Sequence, residues 1–161
     1  FSLGCWLRTA DPHLIYDADS GQRINMSKSI YLGDHVWIGQ SALVLKGSVI
    51  GSGAVVGGGS IVTGKKLKSN SVYGGNPAKL IRENIFFLND SVHAYRRKHT
   101  DTSMTSETKD WLYKHDQFTM SYEDIEDALS PEVAASLKLE YIRKNLANSK
   151  HKNRFYVGDE R

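Results

Sequence analysis

A period of six residues governs the first half of this chain. Leu32, Ile38, Val44, Ile50, Val56 and Val62 follow one another at constant spacing. Directly after them stand Gly33, Gly39, Leu45, Gly51, Gly57 and Thr63, most of them glycine. Four residues after each apolar position come Val36, Ala42, Ser48, Ala54 and Ser60, all small or β-branched, until Lys66 departs from the rule and the pattern frays. Six matches neither the 3.6 of a helix nor the 2 of an amphipathic strand. It suits a short strand and a turn repeated around a narrow prism. The aliphatic residue fills the interior, the small residue fits where the chain turns a corner, and glycine permits close backbone approach. Three units close one triangular coil, so Leu32 to about Leu67 makes two coils. Their stacking buries a column of Ile, Leu and Val and pairs parallel strands from coil to coil.

The pattern also runs upstream. Phe1 and Leu7 are six apart with Cys5 at the small position, and Met26 and Ile30 re-enter the frame ahead of Leu32. Between them Ala10 to Arg23 is polar and irregular, which reads as a loop ejected from the coil near residues 10–25. The repeat is already under way at Phe1, and the first residue is not Met, so the chain reads as a processed or truncated version of a longer one with earlier coils. Downstream, Gly74-Gly75-Asn76-Pro77-Ala78-Lys79 is a turn cluster that ends the repeat. Two parts follow: a β-helix over residues 1–82 and a helical extension over 83–161.

In the extension, Ser130-Pro131-Glu132 has the signature of a helix start, and Ala135, Leu139 and Ile142 give an apolar stripe to about Leu146. A shorter helix is expected from Ser121 to Leu129, and a further segment around Trp111. The polar stretch Ser149 to Arg161 is expected to be loose. These helices either cap the coil end or dock on a neighbouring subunit.

Composition excludes several function classes. With 40% hydrophobic and 24% charged residues in 161, the chain is ordinary for a globular protein. Its longest apolar run, near Ala42 to Ile50, is too short and too interrupted for a membrane span, and no signal peptide is recognisable. Cys5 is the single cysteine, so no intrachain disulfide can form. A net charge of +3 with a pI near 8.9 fits an anionic ligand and is too small and too scattered for nucleic acid. The expectation is a soluble, cytoplasmic protein.

Four motifs in this order carry a resemblance: Asp11-Pro12-His13, Gly33-Asp34-His35-Val36-Trp37-Ile38-Gly39, Val56-Gly57-Gly58-Gly59-Ser60-Ile61-Val62-Thr63 and Gly75-Asn76-Pro77-Ala78-Lys79. Residues 1 to 85 resemble the hexapeptide-repeat O-acetyltransferases, especially those acting on bacterial capsular polysaccharides, polysialic acid among them. The resemblance implies a mainly β fold, a left-handed parallel β-helix, although parallel crossovers are otherwise right-handed. It also implies acetyl-CoA as donor, a carbohydrate acceptor, no metal, and homotrimers whose active sites lie between neighbours.

By the same resemblance His13 is the general base. A sugar hydroxyl is a poor nucleophile at neutral pH, and an imidazole, with an ordinary pKa of about 6.5, suits proton removal there and contributes about 10²–10⁴-fold. Asp11 or a backbone carbonyl would hold the ring's other nitrogen. Trp37, 24 residues after His13, would form a wall of the acceptor and acetyl site. Gln40, Gly58 and Ser60 would meet the pantetheine arm, and Thr63, Lys65, Lys79 and Arg82 the nucleotide end. Two departures from the family stand out. The turn Gly64 to Lys68 is a residue longer than in many relatives, and Tyr73-Gly74-Gly75 replaces the usual small aliphatic lead-in. Cys5, at a corner position, reads as packing, and His35 as a surface turn residue.

Three alternatives stay open at this level. An amino-sugar N-acetyltransferase uses the same donor and base. A β-helix zinc enzyme like the γ-class carbonic anhydrases needs three histidines, of which His13 and His35 supply two. A non-catalytic glycan-binding scaffold needs neither the Asp-x-His loop nor the Gly-Asn-Pro turn.

Overall fold

The structure is a computed structural model that describes residues 1–147 and 154–158. The chain folds as a left-handed parallel β-helix followed by an extension with short helices. Three faces form the prism. Face I holds β1 (Trp6–Arg8), β4 (Leu43–Leu45) and β7 (Ile61–Val62). Face II holds β2 (Tyr31–Leu32), β5 (Val49–Ile50) and β8 (Lys66–Leu67). Face III holds β3 (Trp37–Ile38), β6 (Val55–Val56) and β9 (Val72–Gly74). Each face therefore carries three coils, the first opened by the ejected loop between β1 and β2.

Register follows from the inward column. Leu7, Val44 and Val62 stack on face I, Leu32, Ile50 and Leu67 on face II, and Ile38, Val56 and Tyr73 on face III. Ile38, Val44, Ile50 and Val56 are wholly buried, each burial worth about 1.5–3 kcal/mol against exposure. The frame does not fray at Lys66. It shortens by one residue, so that Leu67, 1% exposed, takes the inward place and Tyr73 and the buried Ser71 follow in the shifted frame.

The corner residues are small because the coils touch there. A Cβ on Gly39 would lie 2.5 Å from the Gly58 backbone nitrogen. Corner serines add a bond to the next coil: Ser48 Oγ accepts from the Gly64 N–H at 3.2 Å, and Ser60 Oγ from the Gly75 N–H at 3.1 Å. Cys5 occupies the matching place in the first coil, where its thiol donates to the Gly39 carbonyl and packs against the core. After β9 the Gly75–Ala78 turn reverses the chain, and β10 (Lys79–Arg82) pairs antiparallel with β9.

The extension lies along the edge between faces II and III. Asn70, at a corner of the third coil, receives the Tyr113 N–H at 2.9 Å and donates to the Tyr113 carbonyl at 2.7 Å. Phe155 is buried, its carbonyl accepting from Ser52 N–H, while the Val157 carbonyl accepts from Ser69 N–H. The expectation of a loose tail is thus corrected for residues 154–158, and its remainder lies outside the described residues.

Among the described residues there are three α-helices, α1 (Arg97–Thr102), α2 (Tyr122–Ala128) and α3 (Ala135–Tyr141), the last running on into one π turn over Ile142–Leu146. α2 matches its expected span, capped by Ser121, whose hydroxyl accepts from the Glu123 and Asp124 N–H groups. Ser130 does not start α3. It opens a turn closed by Val133 N–H, with its hydroxyl bonded to the Glu132 carboxylate, and the N-cap of α3 is Ala134. Trp111 sits in a turn, and Leu137, Leu139 and Ile142 are exposed. No helix among the described residues is long and apolar enough to cross a membrane.

Candidate functional site

The three edges of the prism differ in what they carry. The edge between faces I and II bears the ejected loop, closed at its base by Lys28 N–H donating to the Thr9 carbonyl at 3.0 Å. One coil along the same edge lie Lys46 and Gly47, and one further the exposed turn Thr63, Gly64 and Lys65. Gly64 packs directly below Lys46, since a Cβ on it would meet the Lys46 carbonyl at 2.9 Å.

Within the loop His13 is exposed. The Asp11 carboxylate does not hold its ring. It pairs with Lys46 Nζ and accepts from Asn25 Nδ2 at 3.0 Å. Those bonds, Lys46 first and Asn25 second, hold the Asp11 carboxyl below the usual carboxylate range, so it is ionised at neutral pH. A loop carboxylate two residues from the histidine was drawn to the nearest cation on the rigid coil. Asn25, 7% exposed, is the buried centre of the loop, and no motif in the sequence marked it.

Trp37 stands on face III, opposite the edge that carries His13. Its neighbour Ile38 is buried and Trp37 itself points outward, half exposed, with Nε1–H donating to Ser2 Oγ at 3.2 Å. Beside it His35 is not a simple surface turn. Its ring is stacked between Phe87 and Trp111, each 3.9 Å away, and Nε2–H donates to the Phe87 carbonyl at 2.8 Å. Because partner rings come from the extension, the sequence near His35 gives no sign of the stack. A cavity of about 530 Å³ opens here between the first coil and residues 87–90, lined among others by Asp34, His35, Trp37, Phe87 and Asp90.

Asp34, on the II/III edge, is half-buried. Burial pushes its carboxyl up, and Arg154 opposes the shift. The nearby Tyr113 hydroxyl is pushed up to about 12 by burial and by Asp34.

The expected donor residues separate into three groups. Thr63 and Lys65 lie exposed on the I/II edge below the His13 loop. Gln40 and Gly58 lie exposed on the III/I edge, where the Gln40 carbonyl accepts from Gly59 N–H at 2.7 Å. Lys79 and Arg82 project from β10. Ser60 is 1% exposed at the corner of the III/I edge, its hydroxyl accepting from the Gly75 N–H and its carbonyl from the Leu43 N–H. His13 and His35 leave the prism at different edges, and among the described residues no group of three or more His, Cys, Asp or Glu gathers as a metal site would require.

No family model matches the chain, and no curated protein matches it. Solved structures do. The polySia-specific acetyltransferase NeuO is 36% identical, with a TM-score of 0.53 over 62% of this chain and 47% of that one. The polysialic acid O-acetyltransferase OatWY is 33% identical, with a TM-score of 0.52 over 64% of this chain and 48% of that one. The chain thus resembles hexapeptide-repeat acetyltransferases and spans about half the length of these two relatives.

Proposed function

We propose that this chain is the β-helical part of an acetyl-CoA-dependent O-acetyltransferase that modifies a sugar hydroxyl of a bacterial surface or capsular polysaccharide. The observation that carries the reading is the placement of His13: exposed, on a loop tied to the prism, above the exposed basic turn at Lys65 on the same edge. Likeness to two acetyltransferases with polysialic acid in their names supports the reaction class and the acceptor class.

In the proposed mechanism His13 removes the proton of the acceptor hydroxyl as its oxygen attacks the thioester carbonyl. A tetrahedral intermediate forms, its oxyanion held by a backbone N–H of a coil. The carbon–sulfur bond then breaks, an ester remains on the sugar, and His13 returns the proton to the departing coenzyme A sulfur. Lys65 meets donor phosphates as a mobile point charge, and the exposed glycine at 58 lets the pantetheine arm approach the coil closely. No covalent acyl-enzyme is needed, and Cys5, held among backbone carbonyls, is not placed to form one.

The site is assembled from two copies of the chain in a homotrimer. What supports this is that His13 and Trp37 lie on opposite sides of one prism, so a single copy does not offer base and indole to the same ligand.

Release of coenzyme A from acetyl-CoA, measured with a panel of capsular glycans and amino sugars, tests the reading. Glycan-dependent release that falls about 10²–10⁴-fold in His13→Ala is expected. Release unchanged in that variant removes His13 from the chemistry, and release stimulated only by amino sugars moves the assignment to N-acetylation.

A further inference from the structure

An exposed loop is a poor platform for a catalytic base unless something fixes it, because a misplacement of about 1 Å costs on the order of 10²-fold in rate. The loop between β1 and β2 has no regular secondary structure beyond a single bridge between Tyr16 and Arg23. Its tip, residues 15–24, is closed by backbone bonds, Ile24 N–H to the Ile15 carbonyl and Asp17 N–H to the Gln22 carbonyl, whereas the segment around His13 is held by one buried carboxamide. Asn25 Nδ2 donates to the His13 backbone carbonyl at 2.7 Å and to Asp11 Oδ2 at 3.0 Å. On the other side Asn25 Oδ1 accepts from the Ile15 N–H at 2.9 Å and from Arg23 Nε–H at 3.3 Å.

Residues 11, 13 and 15 are therefore gripped by a single side chain, in alternation, as an extended segment would be gripped by a neighbouring strand. A primary amide suits this task because it presents two donors and an acceptor in one plane. The grip is then tied to the rigid coil through Asp11, whose carboxylate also meets Lys46 Nζ between β4 and β5. Charge-assisted bonds of this kind are the stronger ones. His13 is held by its backbone alone, which leaves the imidazole free for a substrate.

We infer that Asn25 is a positioning residue for His13, and that the Asp11–Lys46 pair anchors Asn25 and its loop to the prism. The inference rests on the reading of His13 as the base. Asn25 touches no reacting atom and acts by fixing where the His13 backbone stands.

Asn25→Ala and Asn25→Asp test it alongside His13→Ala, in the full chain, with the glycan-dependent release assay and amide exchange of the loop. The aspartate keeps the shape and replaces both donors with acceptors facing the His13 carbonyl and Asp11. Both variants are expected to lower kcat about 10–100-fold while KM for acetyl-CoA stays within about twofold, because the donor residues lie on other segments. Amide exchange of Ile15, whose N–H the carboxamide oxygen holds, should rise at least about tenfold in Asn25→Ala, with coil amides unchanged. Lys46→Met, on a partly exposed edge, should lower kcat by a smaller factor, and Lys46→Arg should restore it. Wild-type kcat in both variants, with unchanged Ile15 exchange in Asn25→Ala, would overturn the inference while His13→Ala remained inactive. Activity retained in His13→Ala itself would instead remove the reading on which the inference rests. A loss of kcat matched by increased exchange throughout the coils would also overturn it, since Asn25 would then support the fold and not the base.

Discussion

At the scale of single residues, the prism is governed by how closely backbones approach. Gly39 and Gly59 are both glycines of the repeat region, and the structure gives them different tasks. Gly39 has no room for a side chain, because a Cβ would sit 2.5 Å from the Gly58 nitrogen and 2.7 Å from the Val56 carbonyl oxygen. Gly59 has nothing within 4 Å and is needed only for its positive φ of 66°. Gly39→Ala is therefore expected to destabilise by about 2–4 kcal/mol, since backbone and not a flexible side chain must give way. Gly59→Ala should cost only about 1–2 kcal/mol, the left-handed penalty for an alanine. Urea unfolding of the two variants checks the order, and equal midpoints would refute the coil-contact account. The period marked Gly39, and Gly59 stood only within the Val56–Thr63 motif; neither signal showed which of them supports the neighbouring coil. Ser60 gives the same lesson. Its place in the repeat was visible, but not the bond by which its buried hydroxyl accepts from the Gly75 N–H of the next coil.

At the scale of elements, short strands of two to four residues owe their stability to stacking, as does the extension to its anchors on the coil. Asn70 is the principal one: with a φ of 53° it turns the third-coil corner, and its amide satisfies both backbone groups of buried Tyr113. Asn70→Gly keeps that backbone and removes the amide, leaving a buried N–H and a buried carbonyl without partners at about 1–3 kcal/mol each. The expected result is faster proteolysis of the extension after residue 83, with the coil's own unfolding little changed. Simultaneous loss of both would show the two to be one cooperative unit. Ser121 marked its helix start in the sequence because a cap is a local device. Ser130 carried a similar signature, but the chain there makes only a turn closed by Val133 N–H on the Ser130 carbonyl, and the helix starts after Ala134.

At the scale of the whole molecule, one edge carries the His13 loop, one is covered by the extension, and one presents the exposed Gln40 and Gly58. The arrangement leaves base and indole on opposite sides of each copy, which gives the proposed trimer a direct test. His13→Ala and Trp37→Ala chains, each inactive alone, are expected to regain activity when unfolded together and reassembled. In a random mixture about a quarter of the sites would combine an intact His13 with an intact Trp37 from different copies. Mixed trimers with no activity would show that both groups act from the same copy.

The sequence by itself determined the prism, because the inward aliphatic, the small corner and the close-packed glycine are steric demands met within six residues and repeated at each turn. It also located the ejected loop, where those demands lapse, and α2, which has a local cap. Only the tertiary structure decided the one-residue shortening that brings Leu67 inward, the stack of His35 between Phe87 and Trp111, and the pairing of Asp11 with Lys46 in place of the His13 ring. It alone revealed Asn25 as the centre of the loop. These depend on groups distant in the chain competing for one partner, and a short-range pattern carries no record of which one wins.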